Sequence, residues 1–358
     1  MSSEFGKKLR VSVFGESHGP GIGVVVNGFP AGESVDPSEL NRFLARRAPG
    51  NSSLTTARKE ADLPEFLSGI RENVLTGSPF AAIIRNTNQR FGDYKGFEDT
   101  PRPSHADYTA AVKWNGAADM RGGGHFSGRL TAPICIAGGI ALQILARRGI
   151  FVGAHLSNVG GIADDPFPLH PTPELLRSIA EKEFPVIDSA KGSTMQEVIR
   201  NAAADGDSVG AAIECAAIGT PAGLGDPMFD GVESLLSAAL FGVPGVKGVS
   251  FGSGFDCVNM HGSEHNDPFV IENGTVQTAS NHSGGIQGGI TNGMPIVFQI
   301  AMKPTASIAK KQQTVSLSGM SETEIAIHGR HDPCIAIRAV PVVEAVTALC
   351  ILDLTLGK

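Results

Sequence analysis

The feature that most constrains the fold is a repeated order of local signals in two distant parts of the chain. Residues 23–32 read Gly-Val-Val-Val-Asn-Gly-Phe-Pro-Ala-Gly, and the capped helix that follows stops at Pro49-Gly50. Residues 210–223 repeat the strand and the Pro-Ala-Gly turn, and a second helix stops at Pro244-Gly245. This order indicates two similar α/β halves with a seam near residues 200–208, although chance similarity of Gly/Pro turns is the alternative.

We therefore expect an α/β (α+β) chain that forms one domain over residues 1–358, with pseudo-repeat halves of roughly 1–205 and 206–358. Hydrophobic residues make up 41% of the chain and charged residues 18%, which is typical of a globular protein with a large core. The five cysteines form no C-x-x-C pair, which suits buried thiols in a reducing cytoplasm.

Two classes of partner are excluded by composition. No apolar run is long enough to span a bilayer, so we expect no membrane association. The chain has one Trp and two Tyr, which argues against a base-stacking surface for nucleic acid.

The first candidate site is the segment 121–129, which reads Arg-Gly-Gly-Gly-His-Phe-Ser-Gly-Arg. Consecutive glycines let a backbone approach a ligand closely. The apolar residues 130–148 are typical of a buried helix, and backbone N–H groups at a helix entry with arginines nearby suit an anion. A tight structural turn is the alternative, and the spacing is neither the Rossmann nor the Walker pattern.

A second candidate is the polar loop 15–19, Gly-Glu-Ser-His-Gly, between two predicted strands. His18 could transfer a proton near neutral pH, although a solvated turn would have the same composition.

The helix after this loop begins with Asp36 as N-cap and Pro37 at its first position. Arg46 and Arg47 lie near its end, where they could complement the helix dipole or bind an anion. The polar residues 51–59 that follow are a candidate lid over a phosphate or carboxylate.

The third candidate is Arg102-Pro-Ser-His105-Ala-Asp107, a segment stiffened by two prolines. Asp107 could orient His105 or cap the next helix, and capping is the expectation.

The C-terminal half adds further anion-binding signals. Lys303 is followed by Thr305 and Ser307, a cation with two hydroxyls that suits a phosphate. Arg330 and Asp332 lie in a turn before the last helix. These groups suit a small, multiply anionic substrate and a phosphorylated cofactor. The sequence contains no H-E-x-x-H, Cys/His cluster or G-x-S-x-G, so zinc and serine hydrolases have no support.

Six motifs in order resemble the chorismate synthase family and cover nearly the whole chain. They are Phe-Gly-Glu-Ser-His-Gly at 14–19, Arg-Pro-x-His-Ala-Asp at 102–107, Arg-Gly-Gly-Gly at 121–124, Ser-Gly-Gly-Ile-x-Gly-Gly-Ile at 283–290, Lys-Pro-Thr at 303–305 and Gly-Arg-His-Asp-Pro-Cys at 329–334.

The resemblance implies an anti 1,4-elimination of phosphate from 5-enolpyruvylshikimate 3-phosphate, which gives chorismate in the last step of the shikimate pathway. It also implies reduced FMN (FMNH2) as cofactor, without net redox change. The flavin would donate electron density transiently as phosphate leaves, and its N5 would accept the C6 proton. The rival interpretation is a non-catalytic flavin- or phosphate-binding protein, which would not need three proton-transfer groups. A metal-dependent phosphatase is a third interpretation.

By resemblance, His18 would protonate the departing phosphate, His105 would lie near flavin N1, and Asp332 would assist proton removal at N5. Substrate phosphate and carboxylates would be bound by Arg47, Arg102 and Arg330, with Arg46 or Arg129 as further candidates. The flavin would be lined by His125, Phe126, Ser127, Gly288, Lys303, Thr305, Ala306, Ser307 and Arg330. No metal is implied.

The resemblance further implies a β-α-β sandwich, with two antiparallel sheets enclosing a helical layer, assembled as a homotetramer. The sequence has no dinucleotide fingerprint or appended domain, so we expect an external flavin reductant or reductase. Whether Arg47 contacts substrate or a nicotinamide nucleotide (NADP) stays open. His125 stands where relatives can have Arg, and its role is open as well.

Overall fold

A computed structural model describes residues 3–50, 54–55, 62–86, 97–327, 329 and 331–357. The candidate lid at 51–59 lies outside these ranges except for residues 54–55, and Arg330 lies outside them too.

The described chain is a mixed α/β structure with antiparallel sheets. Up to residue 147 its elements are β1 (Glu4–Phe5), β2 (Arg10–Gly15), β3 (Gly21–Asn27), α1 (Pro37–Arg47), β4 (Glu65–Ser68), β5 (Ile70–Arg71), β6 (Val74–Leu75), β7 (Phe80–Arg85), α2 (Asp107–Trp114) and α3 (Thr131–Arg147).

The second part of the chain adds further strands and five helices among the described residues. They are β8 (Phe151–Val159), β9 (Ile162–Ala163), α4 (Pro173–Ala180), α5 (Ser189–Ala204), β10 (Ala211–Ile218), α6 (Val232–Phe241), β11 (Val246–Phe251), α7 (Gly262–His265), β12 (Phe269–Glu272), β13 (Thr275–Thr278), β14 (Ile286–Gln287), β15 (Ile290–Thr291), β16 (Ile296–Met302), β17 (Gln312–Ser316), β18 (Ser321–Ile325) and α8 (Ala336–Thr355).

Two five-stranded sheets organise these elements. The first has the order β1-β2-β3-β7-β4 and the second β11-β16-β10-β8-β9, with antiparallel neighbours throughout. The pairing of Gly15 with Ile22 closes the β2–β3 hairpin and confirms the hairpin predicted from the sequence. His18 therefore lies on the connection at its tip.

Helices α3 and α8 pack on one another and bring the sheets onto one core. Helix α3 contacts β2, β3 and β7, and α8 contacts β8 and β10. A Cβ at Gly138 of α3 would overlap Ala345 of α8, so glycine permits this close helix contact.

Helix α3 is buried, as its apolar sequence predicts. The segment Gly128–Arg147 is long and apolar enough to cross a membrane, so the prediction that no apolar run reaches that length is wrong, but 83% of its apolar window is buried inside the structure. It is therefore a core helix. Helix α1 also begins as predicted, because the Asp36 carboxylate accepts from Ser38 N at 2.8 Å and Glu39 N at 3.3 Å.

A buried charged cluster joins β8, β10 and the loop after β9. His155 is completely buried, with Nδ1 3.0 Å from Asp164 and Nε2 2.8 Å from Glu214. Burial alone would lower the pKa of His155, but the hydrogen bonds that its ring donates to Asp164 and Glu214 outweigh burial and raise this pKa. Burial would raise the pKa of Asp164, yet the bond to His155 and the backbone N–H groups hold it at about 2. The cluster thus holds an imidazolium between two carboxylates.

We expect this cluster to give the free energy of unfolding a defined pH dependence. The raised pKa of His155 stabilises the fold below its unfolded value of about 6.5, and that contribution is lost as pH rises through the folded pKa. The lowered pKa of Asp164 stabilises the fold above about pH 4, and that contribution is lost as pH falls towards 2. Urea unfolding should therefore show His155→Gln to be less stable at pH 6 and less dependent on pH above 6.5. The exposed His170→Gln is the control, and an unchanged slope in His155→Gln would contradict the assignment.

Candidate active site

The glycine segment 121–124 forms a tight turn at the centre of the candidate site. Its three glycines have φ of 63°, 88° and 54°, a region that side-chain-bearing residues rarely adopt. Ser17 N donates to the carbonyl of Gly124 at 3.0 Å, which docks the turn on the β2–β3 connection.

Two histidines from separate segments lie against neighbouring glycines of this turn. A Cβ at Gly122 would overlap His18 Nδ1, and a Cβ at Gly123 would lie 3.3 Å from His105 Nε2. His18 is 4% exposed, and its Nδ1 is 3.3 Å from Ser17 Oγ. The structure therefore brings together the polar loop at 15–19, the His105 segment and the glycine turn.

Asp107 orients His105 and Arg102, so the prediction that it caps the next helix is wrong. Its Oδ1 is 2.7 Å from His105 Nδ1, and its two oxygens accept from Arg102 Nη2 at 2.7 Å and Nε at 2.8 Å. The N-cap of α2 is Ala106, without a side-chain cap. Burial would raise the pKa of Asp107, but hydrogen bonds from Arg102 and His105 hold it far below its usual range. Because Asp107 engages Nδ1, His105 presents Nε2 to the glycine turn.

The Lys303–Ser307 segment adjoins the same group. Arg102 Nη1 donates to the buried Ser307 Oγ at 3.4 Å, and Lys303 Nζ donates to the carbonyl of Ser104. Thr305 Oγ1 donates to the carbonyl of Asp332 at 2.7 Å, and Ala306 lies between the two hydroxyl residues.

Arg47 and Arg129 share the carboxylate of Asp62. Arg47 Nη1 is 2.6 Å from Asp62 Oδ2, and Arg129 Nη1 is 2.7 Å from Asp62 Oδ1. All three side chains are nearly inaccessible. Burial would raise the pKa of Asp62, but the charges of Arg47 and Arg129 hold it below its usual value. Arg47 also donates to Thr131 Oγ1 and the carbonyl of Gly128, which fixes its guanidinium.

Asp332 connects to the arginine pair through Arg338. Arg338 Nη1 is 2.8 Å from Asp332 Oδ2, and its Nε donates to the carbonyl of Arg47 at 3.0 Å. Arg47, Arg129 and Arg338 carry three positive charges. Asp62 and Asp332 carry two negative charges, so this group has a local excess of one positive charge. The neighbourhood suits an anion although the whole chain has a net charge of −7.

Other predicted residues have partners that favour structural roles. Arg46 donates bidentately to Glu344 at 2.5 and 2.8 Å, linking α1 to α8. His125 Nδ1 is 2.7 Å from the carbonyl of Gly15, and its Nε2 is 2.7 Å from Ser3 Oγ.

The remaining predicted residues are divided between this neighbourhood and another part of the fold. Phe126 packs on Trp114 with ring centroids 5.4 Å apart. Ser127 accepts from Arg129 N at 3.3 Å. Gly288 is on a different turn, where the next residue, Gly289, accepts from Val232 N at 2.9 Å.

Sequence reasoning missed Asp62 and Arg338. Asp62 has φ of 47°, a conformation that Asp tolerates better than most residues, but a lone Asp in a polar segment gave no signal. Arg338 did give a signal in the sequence, because a cation in the first turn of a helix opposes the helix dipole.

Comparisons with known proteins agree on one family. The family described as chorismate synthase matches residues 9–356. A chorismate synthase from Lancefieldella parvula is 45% identical, over 99% of this chain and 96% of that protein. One from Aeropyrum pernix is 44% identical, over 98% and 92%. A crystal structure titled chorismate synthase superposes with a TM-score of 0.78 at 27% identity, covering 99% of this chain and 93% of that one.

Proposed function

Because this chain belongs to the chorismate synthase family, we propose that its reaction takes place at the cluster around the 121–124 turn. The chain is a lyase of the shikimate pathway (EC 4.2.3.5) that converts 5-enolpyruvylshikimate 3-phosphate into chorismate and phosphate. The observation that carries the location is the convergence of His18 and His105 on adjacent glycines, beside buried arginines.

The arginines would hold the acidic groups of the substrate. Arg47, Arg102 and Arg129 are fixed by carboxylates and neutral acceptors, so their guanidinium planes are set before a ligand arrives. Arg330, which lies outside the described residues, would add to them by resemblance. Arg46 would support α1 through Glu344 rather than touch the substrate.

Three side chains would handle protons. His18 would donate one to the departing phosphate oxygen from its buried position beside the glycine turn. His105, with Nδ1 held by Asp107, would hold or release a proton at Nε2. Asp332, on the turn fixed by Thr305, would accept a proton at its carboxylate.

The residues present fit reduced FMN, the cofactor that the family uses. Burial lowers the pKa of Lys303, and the nearby charge of Lys247 lowers it further, so a phosphate bound there would offset their repulsion. Thr305 and Ser307 offer hydroxyls beside Lys303. When bound, reduced FMN would supply electron density to the allylic system and an acceptor for the C6 proton.

The resemblance places further residues beside the flavin. We propose that these are His125, Phe126, Ser127, Gly288, Ala306 and Arg330. His125 would contribute by holding the turn in place.

The test of this function is anaerobic release of phosphate and chorismate from 5-enolpyruvylshikimate 3-phosphate, with oxidised or dithionite-reduced FMN. We expect turnover only with reduced FMN. Flavin binding without turnover in either state would favour the non-catalytic binding protein instead.

A separate prediction concerns the source of reduced flavin. We propose that an external reductant or reductase supplies it, since no dinucleotide fingerprint occurs in the sequence. Mixing the enzyme with NADPH and oxidised FMN in air should therefore give no sustained turnover. Continued chorismate formation in that mixture would overturn the proposal and make NADP a ligand of this chain.

We also propose the finer architecture and assembly. The packing of α3 and α8 between contacts to the two sheets supports a β-α-β sandwich of one domain, with duplicated halves. Exposed apolar side chains such as Phe255 and Ile271 (84% and 73% exposed) support self-association, and we propose that the assembly is a homotetramer. We propose separately that the protein acts in the cytoplasm.

A further inference from the structure

Arg338 occupies a position that local electrostatics disfavours. It is the third residue of α8, whose first turn contains no acidic residue. The N-terminus of a helix carries partial positive charge, so a cation there is unfavourable unless other groups compensate. Residues that contradict a local preference, as this cation does at a helix N-terminus, are expected at functional or strained sites.

Two groups compensate the guanidinium of Arg338. Its Nη1 is 2.8 Å from Asp332 Oδ2, and its Nε donates to the carbonyl of Arg47 at 3.0 Å. Arg47 is the last residue of α1, so this carbonyl has no partner within its own helix and lies at the negative end of its dipole. The side chains of Arg338 and Asp332 are only 15% and 10% exposed, so their ion pair is weakly screened.

The backbone around Asp332 is held by other groups. Thr305 Oγ1 donates to the carbonyl of Asp332 at 2.7 Å, and Val209 N donates to the carbonyl of Pro333 at 2.9 Å. Loss of Arg338 would therefore leave the turn anchored while removing the bond from its guanidinium to the Asp332 carboxylate. The contact between Arg338 and Asp332 therefore sets the direction of the Asp332 side chain more than it sets the backbone of the turn.

We propose that Arg338 is a positioning residue that holds the Asp332 carboxylate in its reactive orientation and couples it to the end of α1 at Arg47. This inference rests on the proposed role of Asp332 in proton transfer. Without Arg338, the Asp332 carboxylate loses the guanidinium that sets its direction. Because a misplaced reacting group can cost about 100-fold in rate, the expected loss is of that order.

The test is a double-mutant cycle with Arg338→Met and Asp332→Asn, measured with reduced FMN. We expect Arg338→Met to lower kcat about 100-fold, with little change in KM or in the Kd for FMN, and to shift the kcat–pH profile. Arg338→Lys, which keeps the charge, should recover part of the loss. In the Asp332→Asn background, Arg338→Met should cost little more and leave the pH profile unchanged.

The outcomes separate this inference from the proposed function. If Asp332→Asn is impaired but the losses multiply in the double variant, or Arg338→Met is fully active, only the positioning role fails. A loss confined to KM would make Arg338 a substrate contact and would also overturn it. If Asp332→Asn is fully active, the proposed role of Asp332 fails and the inference falls with it. Circular dichroism checks folding, and Arg338→Lys in both backgrounds completes the cycle if Arg338→Met does not fold.

Discussion

Gly122→Ala should lower turnover by about 100-fold or more, while the chain stays folded. The added methyl group would overlap His18 Nδ1 and lie 2.8 Å from Ser17 Oγ, so the buried His18 ring must move. The alanine would also have to adopt φ of 63°, at a cost of roughly 1–2 kcal/mol. A shift of about 1 Å in a proton donor is enough to produce a loss of that size. Steady-state kinetics with reduced FMN would measure it.

A matched control separates the two causes of this loss. Gly116 has φ of 75°, and a Cβ there would meet nothing within 4 Å. Gly116→Ala therefore carries the same backbone strain without displacing a histidine, and we expect near-normal kcat at reduced stability. Equal activity in both variants would remove the Gly122–His18 contact from the mechanism. Gly123→Ala, 3.3 Å from His105 Nε2, should fall between them.

Local signals predicted much of the fold because they act over a few residues. The Asp36-Pro37 start of α1, the β2–β3 hairpin and the apolar helix α3 follow from capping, alternation and composition. The pairing of strands far apart in sequence could not be predicted in this way. The order β11-β16-β10-β8 joins strands separated by long segments, and no local pattern encodes that register.

The site was predicted as separate segments and not as a cluster. Glycine spacing indicated a flexible turn, but only its three positive φ values bring Gly122 and Gly123 against two histidines. The sequence did not predict the role of Asp62, for a related reason. A carboxylate that neutralises two buried arginines is recognisable only when both arginines are in place, and these lie 15 and 67 residues away.

At Asp107, a tertiary contact overrides the local preference of Asp for capping a helix. An Asp before a helix usually accepts backbone N–H groups of the first turn. Here its carboxylate accepts from the backbone N–H and two guanidinium nitrogens of Arg102 and from His105, and charge-assisted bonds are stronger than a neutral cap. The buried guanidinium of Arg102 would otherwise be an uncompensated charge, which is more costly than a helix without a cap.

His105→Ala should slow the elimination by roughly 10²–10⁴-fold without abolishing FMN binding. The substitution removes Nε2 from the glycine turn and leaves unchanged Lys303, Thr305 and Ser307, which we propose hold the phosphorylated cofactor. Asp107→Asn should also lower kcat, because the ring of His105 loses its charged partner at Nδ1. It should destabilise the chain more than His105→Ala does, since Arg102 loses its buried counter-ion.

Three measurements together test this assignment: kcat, the Kd for FMN and the urea midpoint. Asp165→Asn, which removes a surface partner of Lys191, is the control for loss of an ordinary ion pair and should change none of them appreciably. Full activity of His105→Ala would remove His105 from the proton transfers and leave it a structural partner of Asp107. If His105→Ala instead loses FMN affinity in proportion to kcat, His105 acts in holding the cofactor rather than in moving a proton, because a residue needed only in the transition state lowers kcat while ligand affinity is retained.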